Sequence, residues 1–152
     1  MPKDALRFHL AEMAKNGRMP DITILLQPTS PLRTHEDITA CIQPLLSGDY
    51  DSCASFVKSP SSPYLAWTAD DNGAVSPFVE GFNPWQRRQD LTPTYALNGA
   101  VYAVRTAVFL DDASNSFLPG RNRMHIMPDA RSVDIDTALD LKFAEIMLAE
   151  MD

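Results

Sequence analysis

The run Ile22-Thr23-Ile24-Leu25-Leu26 is apolar toward both faces of a strand, and it breaks at once into Gln27-Pro28-Thr29-Ser30-Pro31-Leu32-Arg33. A strand of that kind needs cover on both sides, which predicts a central place in a parallel sheet with helices on each face. Helical periodicity flanks it. Leu6, Leu10, Met13 and Ala14 recur at helical spacing before a stop at Lys15-Asn16-Gly17. Downstream, Thr34 suits an N-cap, Asp37 can close a capping box, and Ile38, Cys41, Ile42, Leu45 and Leu46 form one stripe ending at Gly48. Pro44 interrupts that stripe and predicts a kink or an early stop.

Residues 50–57 read as a second strand, after which the texture changes. Ser59-Pro60-Ser61-Ser62-Pro63, Asp70-Asp71-Asn72-Gly73 and Asn83-Pro84 separate short pieces at 64–68 and 74–79, with a hairpin signal at Asp71-Asn72-Gly73. Residues 58–95 therefore read as an arm inserted between sheet strands. Alternation resumes with a strand at Asn98–Val104, a short helix at 106–110, strands at Met124–Met127 and Ser132–Asp136, and a helix from about Thr137 to Glu150. The expected fold is α/β, with a Rossmann-like, mostly parallel sheet, helices on both faces and one domain over 1–152.

Composition narrows the function classes. At 152 residues, 45% hydrophobic and 22% charged, the chain can bury a real core. A formal charge of −7 argues against nucleic acid as a partner, so any bound phosphate must be held locally. No apolar run approaches the roughly 20 residues of a membrane span, and no signal-peptide core opens the chain, which predicts a cytoplasmic protein. Cys41 and Cys53 suit reduced core thiols, and His9, His35 and His125 lack metal spacing.

Three groups of residues carry possible chemistry. Past the carboxyl end of the Ile22 strand, where α/β sheets bind ligands, Gln27 can donate and accept, two prolines fix the hydroxyls of Thr29 and Ser30, and Arg33 adds charge. A tight turn whose hydroxyls cap backbone groups accounts for the same residues. Asp134-Ile135-Asp136, read as a strand, places two carboxylates on one face about 7 Å apart at the backbone, a set able to hold one Mg²⁺. Asp136 as a helix cap and Asp134 in solvent is the plainer alternative. Arg87-Arg88-Gln89-Asp90 followed by Asn98-Gly99-Ala100-Val101-Tyr102 offers guanidinium forks and directional donors.

In this order the three groups resemble the acylneuraminate cytidylyltransferases, or CMP-sialic acid synthetases: "PDITILLQPTSPLR", "RRQDLTPTYALNGAVYAV" and "SVDIDTALDLKFAE" stand in family order. The resemblance implies a nucleotidyltransferase that joins CTP to a nine-carbon keto sugar acid with Mg²⁺ and releases pyrophosphate. It implies a homodimer whose arm reaches the partner's site. It further implies Asp134, Asp136 and Gln27 as catalytic, with Asp134 and Asp136 on the metal. Gln27, Thr29, Ser30, Arg33, Arg88, Gln89, Asn98 and Tyr102 would bind substrate.

Two features depart from the family pattern. Ala96 stands where many members carry arginine, which leaves the sugar unspecified. The phosphate-cradling segment that opens the family is not seen before Leu25, so the chain reads as the later two-thirds of such an enzyme. A catalytically inactive dimerising fragment and an Asp-x-Asp glycosyltransferase acting on UDP-sugars are the alternatives.

Overall fold

The computed structural model describes residues 2–114 and 116–150. Helix α1 (Pro2–Lys15) leads to strand β1 (Ile22–Leu25), helix α2 (His35–Leu46) and strand β2 (Ser52–Lys58). A hairpin of β3 (Trp67–Ala69) and β4 (Val75–Pro77) precedes the long strand β5 (Tyr95–Arg105). Helix α3 (Thr106–Asp111), strand β6 (Asn122–Ile126) and helix α4 (Ala138–Ala149) complete the order.

The main sheet has the order β1-β5-β2-β6, and β3 with β4 forms a separate two-stranded sheet. β5 runs antiparallel to both its neighbours, and only β2 and β6 pair in parallel. The mostly parallel sheet is thus corrected to a mixed one, and β1 moves from the centre to one end. Ile24 and Leu26 are 37% and 38% exposed there. An apolar run reports that side chains prefer cover; it carries no information on the direction or number of a strand's neighbours.

β5 is the spine, because its alternating side chains feed two clusters. Val101 and Ala103 join Cys53, Met127 and, from α2, Cys41 and Leu45, all fully or nearly fully buried. Val104 packs with Leu10 of α1 and Phe109 of α3. α1 is further tied down by the nearly buried Lys3, whose ammonium donates to Asp112 Oδ2 at 2.7 Å.

Helix α2 carries the expected cap: the Thr34 N–H donates to Asp37 Oδ2 at 2.8 Å. Pro44 falls in its last turn, and the helix ends two residues later at Leu46. The hairpin also forms where expected, with Asp70 Oδ1 accepting from the N–H groups of Asn72 and Ala74 at 2.9 and 2.8 Å. Ser132–Asp136, expected as a strand, makes no ladder and follows a 3₁₀ turn at Asp129–Arg131 as an irregular segment. Both cysteines are buried and free. No helix among the described residues is long and apolar enough to cross a membrane.

Candidate functional site

The site begins with an irregularity in β5. Opposite β2 the register jumps from Ala54↔Tyr102 to Phe56↔Leu97, so residues 98–101 bulge against Ser55 alone. Ser55 fills the gap: its hydroxyl donates to Asn98 Oδ1 at 2.6 Å and accepts from the Val101 N–H at 2.8 Å. Gly99 sits in the bulge at φ +75°, where a side chain is strained. A Cβ there would lie 2.3 Å from Gln27 Oε1 and 2.9 Å from Ser30 Oγ. The glycine is what lets the Gln27 loop close onto the strand.

That loop is held from three sides. Arg33 Nη1 donates to the carbonyls of Gln27 and Ser30, each at 2.7 Å. The buried Ser30 hydroxyl donates to the Asn98 carbonyl at 2.9 Å. Ser30 and Arg33 are thereby engaged in building the turn, as the plainer sequence alternative has it, while the half-buried side chains of Gln27 and Thr29 carry no such bond among the described residues.

The acidic segment docks on the same loop. The Ile135 N–H donates to the Thr29 carbonyl at 2.8 Å, and Asn98 Nδ2 donates to Ser132 Oγ at 3.0 Å. Asn98 is 3% exposed, so its amide links bulge and segment from inside. Alternation survives without a ladder: Val133 and Ile135 are half-buried, Asp134 and Asp136 exposed. Neither carboxylate has a hydrogen-bond or ion-pair partner among the described residues. Tyr102 packs against Phe117 with the rings tilted at 47° and their centroids 5.6 Å apart, and its hydroxyl is pushed above its ordinary pKa by burial and then by the charge of Asp134.

Among the described residues no group of three or more His, Cys, Asp or Glu could cage a metal. Two unpaired carboxylates nevertheless fit Mg²⁺, which commonly takes one or two from protein and the rest from water and phosphate. Asp134 and Asp136 supply that donor set.

Beside the site lies a cluster that sequence reasoning did not find. Asp37, 2% exposed, accepts from both Nη atoms of Arg131 and lies 3.0 Å from His125 Nε2. Burial pushes its carboxyl up, but bonds from Arg131, His125 and the Thr34 N–H outweigh this and hold it far below the usual carboxylate range. Asp37 was legible only as a capping residue and His125 only as isolated. Nothing in their spacing announces partners 88 and 94 residues away.

Arg88 and Gln89 are placed elsewhere. They line a cavity of about 470 Å³ at the base of the arm with Lys58, Ser59 and Thr94, none of which belongs to the Gln27–Asp136 group. Within one chain, the site residues read from the sequence fall into two places.

Comparison with known proteins accords with the motif order. No family model matches the chain. N-acylneuraminate cytidylyltransferases of Streptococcus agalactiae serotypes V and III are 35% identical over 137 residues, which is 90% of this chain and 32% of theirs. A post-translational flagellin modification protein B of Campylobacter coli is 25% identical over 131 residues, 86% of this chain and 54% of its own length. By sequence, then, the chain is similar to a region of the N-acylneuraminate cytidylyltransferases, and it spans about a third of the length of the streptococcal proteins it matches.

Proposed function

We propose that this region holds the sugar acid and the metal-bound phosphates in a cytidylyl transfer from CTP to a nine-carbon keto sugar acid. The observation that carries the reading is the pair of exposed, unpartnered carboxylates, Asp134 and Asp136, docked through the Ile135 amide onto the loop bearing Gln27 and Thr29.

In the reaction the anomeric hydroxyl of the sugar acid attacks the α-phosphorus of CTP. One O–P bond forms, the bond to pyrophosphate breaks, and the hydroxyl proton leaves to solvent or a neighbouring oxygen. Such a transfer depends on positioning and charge neutralisation rather than on covalent help from the protein. Bound Mg²⁺ would neutralise phosphate charge. Asp134 and Asp136 would hold it. Gln27, able to donate and accept, orients the two substrates between loop and bulge, with Thr29 and the Tyr102 hydroxyl at its sides. Asn98, Ser30 and Arg33 keep that arrangement closed from within. Arg88 and Gln89, standing apart, would serve the site of a second copy, with the arm as the dimer contact.

The test is pyrophosphate release from CTP and N-acetylneuraminate with Mg²⁺, run on this chain alone and joined to the preceding segment of a streptococcal relative. Release that needs both substrates and stops with EDTA supports the reading. Failure of both forms to release pyrophosphate or bind CTP, with tight binding of a UDP-sugar, would replace it with glycosyl transfer.

A further inference from the structure

The Asp37 carboxylate lies four residues beyond Arg33 in the chain and grips Arg131, three residues before Asp134. It joins the N-terminus of α2 to the 3₁₀ turn at Asp129–Arg131 and, through His125, to β6. Four donors converge on its two oxygens: Arg131 as a fork, His125, the Thr34 N–H at 2.8 Å and the Thr34 hydroxyl at 3.2 Å. A capping role needs only the Thr34 bond. The fork does something else: it fixes the root of the acidic segment against the root of the Gln27 loop. Beyond that root, one backbone bond from Ile135 to Thr29 and one side-chain bond from Asn98 to Ser132 hold the segment in place.

We propose that Asp37 is a positioning residue, a clamp that through Arg131 and His125 sets Asp134 and Asp136 opposite the Gln27–Thr29 loop before any ligand binds. The role of the clamp in metal binding rests on the reading of those two aspartates given above; its role in holding the segment does not. Bidentate guanidinium–carboxylate pairs suit this work because the fork fixes direction as well as distance. A segment so held binds a metal without first being ordered.

Two measurements on the full chain separate clamp from metal site. The first is amide hydrogen exchange at Ile135, compared with Ala103 and Val104 of β5, in the native chain, Asp37→Asn and Arg131→Lys. The lysine variant keeps the charge but loses the fork, and it serves if the asparagine variant fails to fold. Loss of at least tenfold protection at Ile135, beyond any change in β5, is expected. Protection at Ile135 that is unchanged, or that falls only in step with β5, would overturn the clamp. The second is Mn²⁺ titration of the same proteins with Asp136→Ala as the reference. Weakening of about tenfold in the clamp variants, with more in Asp136→Ala, is expected. Clamp variants that bind as the native chain does, while Asp136→Ala does not, would overturn the link to metal binding. If the native chain binds no better than Asp136→Ala, the metal reading itself falls, and exchange at Ile135 still decides the clamp.

Discussion

The Gln27–Asp136 end of the sheet and the arm at residues 59–94 are made by opposite means. At the sheet end the bonds that join one segment to another span long stretches of chain: Ser30 to Asn98 over 68 residues, Asn98 to Ser132 over 34, Asp37 to Arg131 over 94. Its hub residues Ser30, Asp37, Ser55 and Asn98 are buried polar groups, each with partners. The hairpin of the arm closes on near neighbours, such as Thr68 with Ser76 eight residues away, and Tyr64 packs on Phe82 within the arm at a centroid distance of 4.7 Å. It leaves Trp67, Val75, Phe78 and Trp85 exposed. A buried polar network fails as a whole when one member is removed, because each partner is left unsatisfied in a dry place. A local hairpin with exposed rings tolerates change.

Two glycines with nearly the same backbone make that contrast measurable. Gly99 at φ +75° lies against Gln27 and Ser30, whereas Gly73 at φ +80° has nothing within 4 Å of a built Cβ. Gly99→Ala combines strain with a clash against a hydroxyl already bonded to Asn98, for an expected loss of about 2–4 kcal/mol in urea unfolding. Gly73→Ala meets only the backbone penalty of about 1 kcal/mol. Equal losses would mean that the bulge is no tighter than the hairpin turn.

Asp136→Ala should separate chemistry from structure at the sheet end. The carboxylate is exposed and unpartnered, so its loss is expected to shift unfolding by less than about 0.5 kcal/mol. On the proposed function, metal-dependent turnover of the chain joined to the preceding segment of a streptococcal relative should nevertheless fall about a hundredfold or more. Near-normal turnover would remove Asp136 from the site, and a large stability loss would make it part of the network instead.

The network also has a pH signature. Because the folded state holds Asp37 well below its ordinary range, the unfolded chain takes up a proton near pH 4 that the native chain refuses. Its contribution is therefore full above about pH 5 and declines as the pH falls through the acid range. Urea midpoints should drop between pH 6 and 3, and Asp37→Asn should be less stable at pH 6 with a shallower decline. Parallel declines in the two proteins would assign the acid sensitivity to other carboxylates.

These contrasts also mark what the sequence makes legible. The helices and the strands other than Ser132–Asp136, the Thr34–Asp37 cap and the Asp-Asn-Gly turn were readable because each depends on near neighbours. Strand direction was not, since Ile22–Leu26 presents the same apolar faces whether its neighbour runs one way or the other. The bulge at Asn98–Val101 and the bonds of Asp37 were also hidden, because they depend on residues that only the fold brings together. Ser30 and Arg33 look like ligand groups in the sequence and are turn builders in the structure, since a hydroxyl and a guanidinium satisfy a backbone carbonyl as readily as a substrate.

The smallest expected effect belongs to the arm. Trp85 is 82% exposed, and its ring meets that of Trp67 at a centroid distance of 6.0 Å. Truncation to alanine removes little buried surface, so Trp85→Ala should change the stability of an isolated copy by less than about 0.5 kcal/mol. An aromatic side chain of this size contributes most when a second surface covers it. If the arm is the contact between two copies, the same substitution should weaken self-association about tenfold or more, in sedimentation equilibrium over a range of concentrations. The two readings oppose each other cleanly. A stability loss of about 2 kcal/mol at concentrations where the chain is monomeric would show that the indole packs within its own copy. Unchanged stability with unchanged association would leave the arm's exposed rings outside the dimer contact and move that contact to another surface.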